Sequence, residues 1–285
     1  MTYREAFALG KKILGMAQIV EAKNDAWLLL EMVCKIDRTF FYMHMKDEIN
    51  SDDLKEYESV IKKRAERITL QYITGEQEFM GLKFKVNSNV LIPRPDTETL
   101  VEEALKVVKP GMRVLDMCTG SGCIIISILK NKNDVRGMGC DISKQALIVA
   151  KENAKLNEVS VEFERSDLFE NVTDKFDVIV SNPPYIKSDI IPTLMPEVAQ
   201  FEPIGALDGF EDGLEFYRRI IKESRIYLTE NGKILFEIGN DQGQDVSNML
   251  KYAGYENVRV IKDLARNDRV VYGELNVAVC PMCEQ

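Results

Sequence analysis

Arg113-Val114-Leu115-Asp116-Met117 runs directly into Cys118-Thr119-Gly120-Ser121-Gly122, and a helical pattern follows through Ile124, Ile125, Ile128 and Leu129. The first five residues read as a short buried strand. The glycine-rich turn lets a ligand approach the backbone and meet the N-terminus of the helix. A dinucleotide fingerprint would need a third glycine where Ile125 stands, which disfavours NAD and FAD. Strand and helix then repeat downstream. A second strand, Val135 to Cys140, ends in Asp141, 25 residues after Asp116 and close to where an acidic side chain would hold a ribose diol. Ser143 is suited to cap a helix reaching about Asn157. A third strand, Val159 to Glu164, leads to Ser166-Asp167-Leu168-Phe169, and a fourth covers Phe176 to Ser181. This alternation predicts an α/β fold with a parallel sheet, right-handed crossovers and functional residues at the strand C-termini. Asp116, the glycine turn, Asp141, Asp167 and Asn182 then converge on one edge.

The fourth strand ends in Asn182-Pro183-Pro184-Tyr185. Neither proline donates to a sheet, and two in succession fix the backbone around Asn182. Carbonyl oxygens without competing N–H groups, together with the Asn182 side-chain oxygen, form an acceptor-rich lip suited to a planar NH2 group. Farther on, Pro196 to Pro203 reads as an irregular acidic segment. Leu214 to about Leu228 is helical, Lys233 to Ile238 is a fifth strand, and Gln242 to Ala253 is a helix stopped by Gly254. Val258 to Ile261 and Arg269 to Tyr272 complete the strands as an antiparallel pair.

Upstream, apolar residues recur at helical spacing through Phe7, Leu9, Ile13, Leu14 and Ala17, then through Trp27, Leu28, Leu30 and Val33, with Asn24 and Ser51 as N-caps. Residues 1–74 therefore read as a helical bundle. Residues 75–92 read as a β-hairpin linker, punctuated by Gly75 and Gly81, residues 93–275 as the α/β domain, and 276–285 as a tail. Asp96 is a reasonable N-cap for the helix through Leu100 and Leu105. Arg94, held between Pro93 and Pro95, reads either as part of that helix start or as a substrate clamp.

Composition narrows the chemistry. The net charge is −9 over 285 residues, and residues 1–75 hold 12 basic and 12 acidic side chains, so the whole deficit falls on the remainder. That balance disfavours phosphate neutralisation and general nucleic-acid binding. No apolar stretch approaches the length of a membrane span and no signal-peptide pattern opens the chain, so a soluble cytoplasmic protein is expected. Six cysteines in so long a chain argue for reduced thiols. His44 is the one histidine. Serine or cysteine nucleophiles activated by histidine are thereby excluded unless His44 lies in the site, and no multi-histidine metal centre is possible. Cys280 and Cys283 have zinc-knuckle spacing but half the ligands, and a frayed tail is the better reading.

The order of glycine loop, Asp141, Ser166-Asp167 and Asn182-Pro183-Pro184-Tyr185 resembles class I S-adenosylmethionine-dependent methyltransferases. Tyr72 to Glu76, Ile92-Pro93-Arg94-Pro95-Asp96-Thr97-Glu98, Gly209 to Tyr217, and Asp263-Leu264 with Asp268 to Val271 resemble the HemK/PrmC release-factor glutamine methyltransferases in particular. Cys118 departs from the pattern, standing where a first glycine is usual. The resemblance implies a Rossmann-like, mostly parallel seven-stranded sheet behind a smaller helical domain that recognises the substrate. It implies S-adenosylmethionine as cofactor, leaving as S-adenosylhomocysteine, with Cys118, Thr119, Gly120, Ser121 and Gly122 along its methionine portion. Asp141 would hold the ribose, Asp167 and Leu168 would border the adenine, and Asn182 would adjoin the methyl group. Asn182, Pro183, Pro184 and Tyr185, with Arg94, would hold the glutamine of a Gly-Gly-Gln loop in a peptide chain release factor, the enzyme acting as a monomer. Two other readings compete: an amino-methyltransferase that flips a nucleic-acid base into the same lip, and a catalytically silent adaptor that binds S-adenosylmethionine.

Overall fold

The computed structural model describes residues 1–276; the Cys280 and Cys283 pair lies outside them. Two compact units are formed, one from Met1–Glu76 with Met195–Phe201, the other from Gln77–Leu194 and residues 202–276.

The first unit contains α1 (Tyr3–Met16), α2 (Ala22–Cys34), α3 (Arg38–His44), α4 (Ser51–Ala65) and α5 (Leu70–Thr74). Leu14, Trp27, Leu30, Phe41, Tyr57 and Ile61 are buried in its core, where Trp27 meets the Phe41 ring edge-on at 5.3 Å. The caps differ from the expected ones. Asn50, not Ser51, caps α4, its Oδ1 accepting from the Asp52 N–H at 2.8 Å, and Asn24 lies inside α2, which starts at Ala22. A side chain one residue ahead of the first helical position reaches the orphan N–H groups, and one inside the helix does not. His44 stacks on Phe40 at 4.3 Å, and its Nδ1 meets Asp47 at 2.8 Å.

In the second unit β1 (Glu76–Phe79) and β2 (Leu82–Lys85) form a hairpin, followed by α6 (Glu98–Val107), β3 (Arg113–Met117), α7 (Cys123–Asn131), β4 (Arg136–Asp141), α8 (Lys144–Leu156), β5 (Glu162–Arg165) and β6 (Phe176–Ser181). The chain continues through α9 (Pro196–Phe201), which belongs to the first unit, to α10 (Glu215–Tyr227), β7 (Leu228–Glu237), α11 (Gly243–Tyr252), β8 (Tyr255–Lys262) and β9 (Asp268–Leu275). The short helix α9 replaces the irregular segment expected there. Pro196 is tolerated at its first position because that N–H would have no helical partner anyway.

Seven strands lie in the order β5-β4-β3-β6-β7-β9-β8, parallel from β5 to β7 and antiparallel at β7–β9 and β9–β8. The expected mostly parallel seven-stranded α/β sheet is thus present. Alternate residues of each central strand serve opposite cores. Leu115, Ile179 and Phe236 pack with Tyr217 and Leu250 of α10 and α11. Val114, Val178 and Leu235 pack with Val101 and Ile125 of α6 and α7. Because both faces are covered, the strands read as continuous apolar runs rather than as an alternation.

Asn153, on α8 and fully buried, fastens the hairpin to the glycine turn. Its Oδ1 accepts from the Lys85 N–H at 2.7 Å, and its Nδ2 donates to the Lys85 and Ser121 carbonyls at 3.0 and 2.9 Å.

Candidate active site

The loop between β3 and α7 is built on a fully buried carboxyl. Asp116 Oδ2 accepts from the Thr119 hydroxyl at 2.6 Å and from the Ile125 N–H at 3.3 Å, while Oδ1 has no partner among the described residues. Burial pushes its pKa up to about 7. Three residues of the turn adopt left-handed backbone, Cys118 (φ +63°), Gly120 (+55°) and Gly122 (+79°). Cys118 carries the cost of a Cβ in that region. Gly122 could not take one without meeting Ile126 Cδ1 at 2.9 Å.

Asp141 closes the turn from the next strand. Its Oδ2 accepts from the Gly120 N–H and its Oδ1 from the Ser143 N–H, each at 2.8 Å. Burial raises its pKa, the two N–H groups oppose that shift, and no cation contributes. An ionised carboxylate offers about four acceptor positions, so two remain for hydroxyl donors.

These groups face a cavity of about 540 Å³. Arg94, Cys118, Thr119, Gly120, Ser121, Asp141, Asp167, Leu168, Asn182 and Pro184 line it, whereas Gly122, Pro183 and Tyr185 do not. Gly122 lies behind the turn as the N-cap of α7, Pro183 is buried, and Tyr185 turns inward to donate its hydroxyl to Glu237 Oε1 at 3.3 Å. Arg94 pairs with Glu202, whose carboxyl is buried and whose Oε2 has no partner among the described residues. Asp96 is not the cap of α6. It pairs at 3.1 Å with Arg269, which also holds Asp263, because a buried guanidinium needs carboxylates around it more than a short helix needs one further cap.

Several lining residues have no side-chain chemistry that marks them singly in the sequence, although Phe210 and Phe216 fall within the Gly209 to Tyr217 stretch. Phe210, Phe216 and Arg219 come from the start of α10 and the loop before it, and Arg219 Nη2 donates to Asp167 Oδ1 at 2.8 Å. Only the sheet order brings them to the cavity, and in sequence they look like an ordinary amphipathic helix. Thr97 stands in sequence at what reads as a helix start. It is buried and lines the cavity, its Oγ1 accepting from Asn182 Nδ2 at 3.4 Å.

The turn after β6 is held from outside. The Gly209 N–H donates to the Ile186 carbonyl at 2.8 Å, and the Ile186 N–H to that of Leu207 at 3.0 Å. Gln242 Nε2 donates to the carbonyls of Tyr185 and Gly213, both at 3.1 Å. The stiffness expected of two prolines is therefore shared with a second backbone segment. An amide oxygen at Asn182, a carboxylate at Asp141 and an apolar wall that includes Leu168 and Phe216 suit a ligand with a flat ring, hydroxyls and a reacting group near an NH2.

Residues 5–75 match the family described as the PrmC N-terminal domain, and residues 95–195 that described as the methyltransferase small domain. The chain is 46% identical over 255 residues to a release factor glutamine methyltransferase of Clostridium acetobutylicum, covering 87% of this chain and 90% of that one. It is 39% identical over 269 residues to one from Agrobacterium fabrum, covering 92% and 93%. A methyltransferase of Pyrococcus furiosus, 17% identical, shares the fold with a TM-score of 0.55 over 76% of this chain and all of that one.

Proposed function

The chain belongs to the release factor glutamine methyltransferase family, and from that premise we propose how its cavity transfers a methyl group from S-adenosylmethionine to a side-chain amide nitrogen of a release factor. The cavity fits the cofactor. Its volume falls within the ~300–1,000 Å³ usual for sites of small organic ligands, and a Cβ at Gly120 would meet nothing within 4 Å. Asp141 would accept from the ribose hydroxyls, Asp167 and Leu168 would border the adenine, and Cys118 to Gly122 would follow the methionine portion. When bound, the cofactor supplies a methyl group on a positively charged sulfur.

The observation that carries the reading is Asn182, a cavity residue whose Nδ2 is already engaged by Thr97. Its Oδ1 then serves as an acceptor. An amide nitrogen is a poor nucleophile because its lone pair is delocalised, so the protein's task is placement. Asn182 Oδ1 would accept from the NH2 group of the substrate and hold the nitrogen in line with the methyl, with Pro183, which does not line the cavity, fixing the backbone on which it stands. Orientation of this kind lowers a barrier by up to ~7–11 kcal/mol. The product nitrogen sheds its extra proton to water, and no histidine is required. Tyr185 supports the turn through Glu237, and Arg94 faces the substrate side of the cavity. We assign recognition of the factor to residues 1–74, the connection to 75–92 and catalysis to 93–275. The glutamine is that of the Gly-Gly-Gln loop, methylated by a cytoplasmic monomer.

The test is transfer of labelled methyl to purified release factor, to its Gln-to-Ala variant, and to DNA and RNA. Label in the wild-type factor alone is expected. Label in nucleic acid would favour base flipping, which the charge of −9 opposes, and cofactor binding without label would favour a silent adaptor. Asn182→Ala should abolish most transfer and leave cofactor affinity largely intact. Equal loss of both would make Asn182 structural.

A further inference from the structure

Phe210 has left-handed backbone, φ +68°, and is the one aromatic residue in that region among the described residues. A bulky side chain there is an outlier, costly where glycine would be comfortable. Yet Phe210 is also 51% exposed. A turn residue chosen for backbone comfort would be glycine, and an aromatic chosen for packing would be covered. Backbone strain that persists beside a cavity points instead to function.

The strained residue is fastened on both sides. The Phe210 N–H donates to Asp208 Oδ1 at 2.9 Å, and the Ser188 hydroxyl donates to the same oxygen at 2.6 Å. The Ser188 N–H donates to the Phe210 carbonyl at 3.0 Å. With the parallel bridge between Ile186 and Asp208, these bonds lay residues 208–210 along the chain that leaves the proline turn. One residue back, a Cβ at Gly209 would meet Tyr185 Cα at 2.8 Å and the Pro184 carbonyl oxygen at 2.9 Å. Phe210 thus carries a side chain past Gly209 to the cavity that Asn182 and Pro184 also line. Its ring is backed by that of Phe216, with centroids 5.8 Å apart. Tethers at both the N–H and the carbonyl make it a fixed wall beside the lip.

Resting on the methyltransferase reading, we infer that Phe210 is a specificity-determining residue, which selects an acceptor glutamine whose neighbour in the chain has no side chain. A glutamine entering the lip from another protein brings its own backbone across the mouth of the cavity, where Phe210 is half-exposed. A flat ring packs closely on a backbone that lacks a Cβ. Any other neighbour would drive its Cβ against a wall that cannot retreat, so the site rejects by obstruction rather than by a missing attraction. A Gly-Gly-Gln loop meets the condition, and an ordinary surface glutamine does not.

The experiment offers the full chain two substrates at saturating S-adenosylmethionine: release factor, and a variant of it with alanine in place of the glycine before the glutamine. The ratio of their kcat/KM values is compared across enzyme variants, so any effect of the alanine on the factor itself cancels. The wild type should prefer glycine by at least about tenfold, as one methyl group can command in a close-packed site. Phe210→Ala and Phe210→Gly should compress that preference to within about threefold, and Phe210→Tyr should keep it. An unchanged preference in Phe210→Ala would overturn the inference. So would a loss of cofactor affinity beyond about tenfold, which would make the ring a wall for the cofactor. Calorimetric binding of the two factors reads the same preference without turnover. If it persists while no label is transferred, the methyltransferase reading fails and the wall stands. Phe210→Gly should melt roughly 2–4 °C above Phe210→Ala, and equal melting would remove the strain from which the inference starts. Should Phe210→Ala fail to fold, Phe210→Gly carries the comparison of substrates.

Discussion

Replacing Gly209 with alanine tests whether the turn from Asn182 to Tyr185 is held by a neighbouring backbone as well as by its own prolines. A Cβ at Gly209 would lie 2.8 Å from Tyr185 Cα, 2.9 Å from Gly213 Cα and 2.9 Å from the Pro184 carbonyl oxygen. All three are backbone atoms, so no side chain can swing aside, and the Gly209 N–H is tied to the Ile186 carbonyl at 2.8 Å. Restoring ordinary contact at 3.4 Å requires a displacement of about 0.6 Å shared between the two segments. Overpacking of this sort costs ~1–3 kcal/mol of stability. Because about 1 Å of misplacement can cost ~100-fold in rate, kcat should fall roughly 10- to 100-fold, or about 1.4–2.7 kcal/mol of barrier. The assay is label transfer to release factor at saturating cofactor, paired with calorimetric titration of S-adenosylmethionine. Its affinity should stay within about threefold, since Asp141 and the glycine turn sit on β3 and β4. Gly15→Ala, in α1 with no atom within 4 Å of the new Cβ, is the control and should leave kcat unchanged. Wild-type kcat in Gly209→Ala, or a loss matched by an equal loss of cofactor affinity, would refute the reasoning.

Asp141→Asn puts an NH2 group against one of the two backbone N–H groups now bonded at 2.8 Å. Cofactor affinity should weaken by at least about tenfold, as expected for losing one charge-assisted bond of ~1.5–3 kcal/mol, and unchanged calorimetric affinity would show that the loop does not depend on the carboxylate. Asp116 has its pKa raised from 3.8 to about 7, so its contribution to stability is fully present below about pH 4 and is lost as pH rises through about 7, a swing of about 4 kcal/mol. Asp116→Asn should flatten that part of the stability profile and compare better with the wild type at alkaline than at acid pH. Scanning calorimetry with the opposite trend would contradict the assignment. Arg64→Ala leaves Asp25, 5% exposed, without the guanidinium it meets at 2.8 Å, and should cost ~3–5 kcal/mol. Hydrogen exchange should quicken in α2 and α4 but not in α7 or α8, and uniform protection would show the pair to be dispensable.

Local physics made much of this molecule readable in advance. β3 and β6 announce themselves because a strand buried on both faces must be apolar throughout, and Ser143 caps α8 because its hydroxyl reaches the Ala146 N–H at 3.1 Å. The glycine turn, Asp141 and Asn182 were legible because each needs a special backbone or a polar group at a strand end. Thr97, Glu237, Phe216 and Arg219 were not. Each looks locally like a helix start, a strand end or an amphipathic face, and each gains its role from strands that are neighbours in the sheet but distant in sequence. The inward turn of Tyr185 was hidden for the same reason, as its partner Glu237 is 52 residues away. Asp96 departs from the cap its position suggests because capping is a local preference, whereas Arg269 imposes a long-range electrostatic demand.

Helix α9 has a consequence for how such enzymes can be rebuilt or inherited. Glu197 meets Arg64 at 3.2 Å and Arg67 at 3.1 Å, so a segment drawn from the middle of the chain completes the unit formed by its beginning. A graft that exchanged only the first 76 residues for another helical unit would strand Glu197 among unfamiliar neighbours. Recombination at a single crossover therefore yields a mismatched pair. Variation at this end should proceed by substitutions that keep Arg64, Arg67 and Glu197 in step, or by exchanges that carry both pieces together.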